Sequence, residues 1–315
     1  MPEFQQQRNA ESPLYAEEMD APLPETLNPN TRYAYFSTIA KGGKSLIKSC
    51  RDLHLRRTIC YKTLRPEFVD DPVETRRLLR EARISAALQH PNTVPTYELG
   101  RDNRGSYYFT MKLVHGYTLR ELLNYRERYD LTQLMGVLEQ VGQALGYAHS
   151  MGVLHRDIKP DNILVGPYGE VLLLDWGLAK VWHKTDTRDD DEDHEEAAGD
   201  PGMTGEAKLQ GTVMYMSPEQ VNRDPGISFG SDLYSLGALL YETLAGTTPF
   251  QGDAVYKLLD QIRNNKPPDP RTMTDNPVPD ALAELAMQCL EKDPGARPQT
   301  ADELVHVLRN DWSKD

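Results

Sequence analysis

The chain has 315 residues, 39% of them hydrophobic, which is enough for one large or two modest domains with a substantial core. Its net charge of −13 argues against general nucleic-acid binding, and we find neither a signal peptide nor an apolar run long enough to span a membrane. Three cysteines without metal or redox spacing suit a reducing compartment. We therefore expect a cytoplasmic protein, or the cytosolic part of a longer, membrane-attached one.

The charge is unevenly distributed along the chain. Residues 1–30 hold one Lys or Arg and six Asp or Glu, residues 31–115 hold 16 and 8, and residues 116–315 hold 18 and 34. This pattern predicts two lobes with different surface potentials, and a cleft between them suited to an anionic ligand and metal ions.

The first half of the chain reads as a strand-rich lobe. Residues 1–30 are rich in Pro, Gln, Glu and Asn and predict a disordered arm. Residues 33–64 have strand patterns, residues 72–89 a helical one, and residues 94–114 indicate two strands joined by a turn. We assign residues 31–113 to this lobe.

The second half reads as a larger, mostly helical lobe, residues 114–311. Helices are predicted over residues 119–129, 131–151, 231–245, 253–264, 280–290 and 300–311, with a short apolar strand at residues 171–174. An acidic segment at about 184–206 has no apolar residue that could anchor it in a core, so we expect it to be disordered.

The stretch IAKGGKSLIK, residues 39–48, contains the Gly-Lys-Ser that ends a phosphate-binding P-loop. The full P-loop pattern needs a glycine where Thr38 stands, and it should lead into a helix, whereas strand patterns follow here. The segment is therefore a glycine-containing hairpin, or a glycine loop that covers a nucleotide.

The stretch HRDIKPDN, residues 155–162, has a composition suited to phosphoryl transfer. Asp157 can accept a hydroxyl proton, Lys159 can neutralise the transferring group, and the Asn162 amide oxygen can bind a divalent metal. Asp175 follows an apolar strand thirteen residues later and can supply a second ligand, because Mg²⁺ commonly takes one or two carboxylates with phosphate oxygens and water.

These residues resemble those of eukaryotic-type protein kinases, in particular the bacterial serine/threonine kinases, over about residues 33–308. The resemblance implies an α+β, bilobal fold, with a small antiparallel sheet and one major helix in the first lobe and a mostly helical second lobe. It implies a phosphotransferase that uses ATP with Mg²⁺ or Mn²⁺. Lys62 matches the strand lysine that contacts the α- and β-phosphates, and Glu81 the glutamate that pairs with it.

The resemblance also assigns a nucleotide site. Gly42 matches the middle glycine of the kinase glycine-rich loop, while Ala40 and Ser45 replace the first and third glycines, so the loop is expected to be stiffer. Met111 matches the gatekeeper, and residues 112–114 match the hinge that binds adenine. The implied nucleotide contacts are Ile39, Ala40, Gly42, Gly43, Ser45, Ile47, Cys60, Lys62, Met111, Lys112, Val114, Leu164 and Leu174.

Residues 211–219 resemble the end of a kinase activation segment, with Ser217 in place of the usual alanine. Lys159 and Thr212 match the serine/threonine branch of the family. By resemblance, Glu219 pairs with Arg297 in a structural ion pair, and Asp232 anchors the backbone of the catalytic loop from a helix N-terminus.

Regulation is expected in the activation segment. Arg156 precedes Asp157 and matches an arginine that binds an activation-loop phosphate, and Thr204 is the favoured autophosphorylation site, ahead of Thr185 and Thr187. The acidic residues 189–196 are a solvated insert, a lid, a mimic of a phosphorylated loop or a device that favours basic substrates.

Three hypotheses follow for function. The first is an active kinase acting on serine or threonine of a protein substrate. The second is a nucleotide-binding pseudokinase scaffold, supported by the altered glycine loop, the Trp of Asp-Trp-Gly and the acidic segment. The third, a small-molecule phosphotransferase, leaves residues 211–219 unexplained. A homodimer is possible by analogy with bacterial relatives, and we expect no nucleic-acid partner.

Overall fold

The computed structural model describes residues 22–23, 31–181, 211–310 and 312. By backbone contacts the chain divides into two compact units. The first contains the chain up to Gln89 together with Val94–Gly116, and the second contains His90–Thr93 and the chain from Tyr117 onward. The predicted acidic insert lies outside the described residues, and so does the N-terminal arm except for residues 22–23.

The first unit is a five-stranded antiparallel sheet with one long helix. The strand order is β1-β2-β3-β5-β4. Its elements are β1 (Tyr33–Lys41), β2 (Ser45–Asp52), β3 (Arg57–Leu64), α1 (Pro72–Ala87), β4 (Thr96–Arg101) and β5 (Tyr107–Lys112).

The register of β2, β3 and β5 decides which residues share a face of this sheet. Ile47 pairs with Lys62, and Cys60 pairs with Met111. Because side chains alternate along a strand, all four lie on one face. Tyr61 and its neighbours lie on the opposite face, in an aromatic cluster with Tyr108.

Helix α1 packs on the face that carries Lys62. Asp71 caps its N-terminus, accepting hydrogen bonds from the backbone N–H groups of Val73 and Glu74, and Pro72 fills the first turn, where no N–H donor is needed. Leu78 and Ala82 then pack against apolar residues of β3 and β5. The sheet and the helix thus share one small core.

The second unit is mainly helical. Its helices are α2 (Leu119–Leu123), α3 (Leu131–Ser150), α4 (Pro218–Val221), α5 (Phe229–Ala245), α6 (Val255–Asn264), α7 (Asp280–Cys289) and α8 (Ala301–Asn310). Its short strands are β6 (Tyr117–Thr118), β7 (Val153–Leu154), β8 (Ile163–Val165), β9 (Val171–Leu173) and β10 (Lys180–Val181), paired in the orders β6-β8-β9 and β10-β7.

Helix α5 forms the centre of this unit. It is buried from Ser231 to Ala245 and packs against α3 and α7, while α8 packs on α3. It ends at Gly246, whose φ of 78° is accessible to glycine at little cost. A helix buried on all sides is a rigid platform for the loops that start and end on it.

The α+β fold class is confirmed, but the single helix expected over residues 119–129 is wrong. Helix α2 ends at Leu123, and a separate 3₁₀ turn spans Arg126–Arg128. Leu119, Leu122 and Leu123 give α2 a buried face, whereas the next turn has only charged residues and no apolar side chain to bury. In the described part of the chain, no helix is both long and apolar enough to cross a membrane.

Candidate active site

The first unit places Lys62 and Glu81 in a buried ion pair. Lys62 Nζ lies 2.5 Å from Glu81 Oε1, and the two residues are 7% and 8% exposed. Lys62 Nζ also lies 5.9 Å from the centre of the Phe109 ring. Since Glu81 is on α1, the pair fixes the position of the ammonium group relative to the helix.

The loop between β1 and β2 is tied to the same helix by a contact that the sequence analysis missed. Lys44 Nζ is 2.7 Å from Oε1 of the buried Glu74, which also lies 2.9 Å from Arg77. Glu74 precedes Glu81 by two helical turns, so both carboxylates lie on one side of α1. The seven-residue spacing of Glu74 and Glu81 is the feature of the sequence that could have indicated a second buried carboxylate on this side of the helix.

The β1–β2 turn itself is closed by backbone hydrogen bonding. Gly42 N–H donates to the Ser45 carbonyl over 2.9 Å, and a Cβ on Gly42 would lie 2.8 Å from Ser45 Oγ. The Gly43 carbonyl accepts a hydrogen bond from Arg65. A larger residue at position 42 would therefore require the Ser45 hydroxyl to shift, and Ala40 and Ser45 stand where the resemblance places two further glycines.

The other predicted nucleotide contacts belong partly to the first unit and partly to the second. Ile47, Cys60 and Met111 share the Lys62 face of the sheet. Ile39 and Ala40 lie on β1, where Ile39 is exposed, and Lys112 and Val114 lie at and just after the end of β5. In the second unit, Leu164 lies on β8 and Leu174 directly follows β9, both partly buried.

In the second unit, the Asp157 carboxylate is held by two neighbours on its own loop. Lys159 Nζ lies 2.9 Å and 2.7 Å from the two carboxylate oxygens, and Asn162 Nδ2 donates to Oδ2 over 2.9 Å. Burial raises the pKa of the Asp157 carboxyl above its ordinary value of 3.8, although Lys159 opposes the shift. Lys159 also donates to Thr212 Oγ1 over 3.3 Å.

Asp232 holds the backbone of this loop. Its carboxylate accepts hydrogen bonds from the backbone N–H groups of His155, over 2.9 Å, and Arg156, over 2.8 Å. The His149 ring, which the sequence analysis did not consider, lies 2.9 Å from the same carboxylate. Burial alone would raise the pKa of Asp232. The hydrogen bond from His149, electrostatic interactions with His149 and His155, and the backbone hydrogen bond from His155 hold the pKa below its ordinary value.

Asn162 and Asp175 provide oxygen atoms suited to a divalent cation. The Asn162 amide nitrogen is engaged by Asp157, which leaves the amide oxygen as the group that can bind a metal. The Asp175 side chain is exposed, and its backbone has a φ of 60°, a costly conformation for a residue other than glycine. Two such ligands fit Mg²⁺, which retains water and phosphate oxygens.

Trp176 occupies the position after Asp175. It is 3% exposed and its ring meets the His155 ring edge-on, with centroids 4.6 Å apart. His155 in turn binds the Leu174 carbonyl over 3.0 Å. The tryptophan therefore fills a packed site next to Asp175, and it contacts the His155 ring that binds the Leu174 carbonyl.

The end of the activation segment is joined to the core by Glu219 and Arg297. The guanidinium is fully buried and lies 2.7 Å and 2.9 Å from the two Glu219 oxygens. The neighbouring Gln220 donates to the Arg156 carbonyl over 2.8 Å, a link to the catalytic loop that the sequence analysis missed. Thr204, the predicted phosphorylation site, and Thr185 and Thr187 lie outside the described residues.

Residues 33–312 match the protein kinase domain family, and the chain belongs to it. The match covers both compact units and includes each candidate site residue within residues 39–297.

Curated relatives are named as serine/threonine-protein kinases. The chain is 33% identical to PknD of Protochlamydia amoebophila over 88% of its own length and 30% of that protein. It is 32% identical to pkn3 of Myxococcus xanthus, covering 88% of the chain and 49% of the relative, and 30% identical to PrkC of Bacillus subtilis, covering 90% and 41%. It thus spans only a third to a half of the length of these relatives.

Proposed function

We propose that this chain is a serine/threonine protein kinase that transfers the γ-phosphate of ATP to a protein hydroxyl. The observation that carries the proposal is the Asp157 carboxylate, held by Lys159 and Asn162 on a loop whose backbone is fixed by Asp232. The printed names of the relatives support the reaction class.

In this reaction the substrate hydroxyl oxygen bonds to the γ-phosphorus, and the bond from that phosphorus to the bridging oxygen breaks, releasing ADP. Asp157 orients the hydroxyl and accepts its proton. Lys159, at hydrogen-bonding distance from Asp157 and from Thr212, offsets negative charge on the transferring group.

The proposal assigns nucleotide binding to both units. Lys62, held by Glu81, contacts the α- and β-phosphates, while the sheet face with Ile47, Cys60 and Met111 supplies apolar contacts to adenine. Asn162 and Asp175 hold Mg²⁺, or Mn²⁺ in its place. When bound, the cation neutralises phosphate charge.

Regulation by phosphorylation belongs to the same proposal. Arg156 has a φ of 70°, and its backbone is held from two sides, by Asp232 and by Gln220. A phosphate on Thr204 would order the activation segment through the Arg156 guanidinium. A cytosolic location and a homodimer stay predictions.

The test is Mg²⁺-dependent transfer of labelled γ-phosphate from ATP to the chain itself and to Ser/Thr peptides. Asp157→Asn is the inactive variant, and Asp260→Asn, which changes an exposed aspartate on α6, is the matched control. We expect label in the wild type and the control only. Absence of label in the wild type, with ATP still raising its melting temperature, would favour the scaffold hypothesis.

A further inference from the structure

A cavity of about 810 Å³ lies in the second unit, and Arg120 in its wall lies 4.0 Å from Asp161 of the catalytic loop. Its walls come from α2, from the end of the activation segment and from the end of α5 with the loop that follows. Gly211 and Met214 line it, on either side of Thr212, which accepts a hydrogen bond from Lys159. A peptide whose hydroxyl reaches Asp157 would therefore have neighbouring side chains within reach of this cavity.

The cavity contains a buried carboxylate that already has its partners. Glu242 is 7% exposed, and Arg120 NH1 lies 2.6 Å from its Oε1. The Tyr215 hydroxyl donates to Oε2 over 2.5 Å and accepts a hydrogen bond from Arg120. A buried carboxylate needs such partners, because an unpaired charge away from water is costly.

Arg120 also faces the catalytic loop. Its Nε is 4.0 Å from Oδ2 of Asp161, the residue that precedes Asn162. The guanidinium is thus placed between two carboxylates, one at the wall of the cavity and one on the catalytic loop. Without Arg120, these two carboxylates would form a site for a cation brought by another molecule.

The remaining charges that line the described part of the cavity do not replace that site. Asp253 is paired with Lys257, whose Nζ lies 2.7 Å away, and both side chains are largely exposed. Arg126 is a second cation in the wall and donates to the Leu244 carbonyl at the end of α5. A basic side chain that entered the cavity would therefore meet Arg120 and Arg126. Each carboxylate that it could reach in the described part of the cavity is already paired with a Lys or Arg of the chain.

We propose that Arg120 occupies, from within the chain, the place that a basic side chain of a protein substrate would take, so that this cavity selects substrates without Lys or Arg there. The proposal rests on the kinase function proposed above and names the substrate class for that site. Selectivity of this kind comes from repulsion of the wrong partner as well as from contacts with the right one.

The first measurement uses the wild-type protein and serine peptides that differ only by Arg or Gln at each position flanking the serine. We expect no position at which Arg raises kcat/KM, and at least one at which it lowers kcat/KM by about threefold to tenfold, since like charges at an interface are disfavoured. A wild-type enzyme that prefers Arg, and loses the preference in Glu242→Gln, would overturn the proposal.

The second measurement removes the internal guanidinium. Arg120→Ala should raise the Arg-to-Gln ratio of kcat/KM at the same position by about tenfold or more, because the freed carboxylates now pair with the peptide. Arg120→Ala/Glu242→Gln should lose this gain. Arg309→Ala is the matched control, since Arg309 forms an exposed ion pair with Glu139. An unchanged ratio in Arg120→Ala contradicts the proposal.

A binding assay gives a result whether or not transfer is detected. Methylguanidinium at low millimolar concentration should raise the melting temperature of Arg120→Ala, but not that of the wild type or of the double variant. If Arg120→Ala is poorly folded, Arg120→Gln, which keeps a donor near Glu242, is tested in its place. If methylguanidinium stabilises neither Arg120→Ala nor Arg120→Gln, the guanidinium site is refuted. If the wild type shows no phosphoryl transfer, the kinase function is refuted, whatever the result of the binding assay.

Discussion

The buried pair of Glu219 and Arg297 allows a quantitative prediction for stability. Arg297 has five N–H donors, and each has an acceptor. The acceptors are the two Glu219 oxygens and the carbonyls of Gly230, Glu291 and Lys292. Replacing Glu219 by Gln keeps the shape of the side chain, but it removes the charge and turns an amide N–H towards the guanidinium.

The expected cost of Glu219→Gln follows from what it leaves behind. The guanidinium stays fully buried without its counter-charge, and removing one partner of a buried pair typically destabilises by about 3–5 kcal/mol. Arg297→Met should cost at least as much, because it leaves the carboxylate and three carbonyls without their donor. The double variant should cost less than the sum of the two single changes, with a coupling energy of about 1–3 kcal/mol.

Denaturant unfolding followed by tryptophan fluorescence measures this directly. Trp176 and Trp312 belong to the second unit, which contains the pair. Single variants that each lose less than about 1 kcal/mol, the scale of a surface ion pair, would refute the reasoning from burial. Strict additivity in the double variant would refute the coupling.

The same pair predicts a pH dependence with a definite sign. Burial raises the pKa of Glu219, but hydrogen bonds from Arg297, its charge and a bond from Ser231 outweigh burial, so the folded-state pKa lies below the ordinary 4.5. The stabilisation is therefore fully present above that ordinary pKa and is lost as the pH falls through the folded-state value. The stability difference between wild type and Glu219→Gln should be constant near neutral pH and shrink in acid.

Three further predictions concern the site. Lys62→Met should reduce kcat/KM for ATP-dependent transfer by at least about 100-fold, as expected when an electrostatic contact to the phosphates is lost. It should also lower the melting temperature without nucleotide, because the buried Glu81 loses its counter-charge. Glu74→Gln should lower the free energy of unfolding by about 1–2 kcal/mol in urea titrations, because Lys44 and Arg77 lose a buried carboxylate. Asp232→Asn should lower kcat by about 10–100-fold with a smaller effect on KM for ATP, because the catalytic loop loses an acceptor for its backbone.

The parts of the fold that the sequence indicated correctly are those with regular patterns. The strand patterns over residues 33–64 agree with β1, β2 and β3, and the helical pattern over residues 72–89 agrees with α1. The prediction of one helix over residues 119–129 was wrong at its end. The early leucines have helical spacing, but the charged residues after Asn124 carry no signal for whether the helix continues or stops. That depends on what the leucines pack against, which is a tertiary property.

The contacts of the candidate site also differ in how far the sequence predicts them. The residues of HRDIKPDN are close in sequence, so the hydrogen bonds among Asp157, Lys159 and Asn162 are within reach of motif reasoning. Glu74 pairs with a residue 30 positions away, and Glu242 with one 122 positions away. A single sequence does not show which of many charged residues meet across such distances, and both pairs were missed.

The geometry favours an active kinase over a scaffold on energetic grounds. A buried ion pair such as that of Lys62 and Glu81 commonly contributes no more to stability than well-packed apolar residues would. Positive φ angles at Arg156 and Asp175 each cost about 1–3 kcal/mol. A protein that needed only to fold and present a surface would gain stability by relaxing these features. These costly features occur at or beside the residues proposed to bind the phosphates, accept the hydroxyl proton and hold the metal. Phosphoryl transfer requires such residues to be held in place.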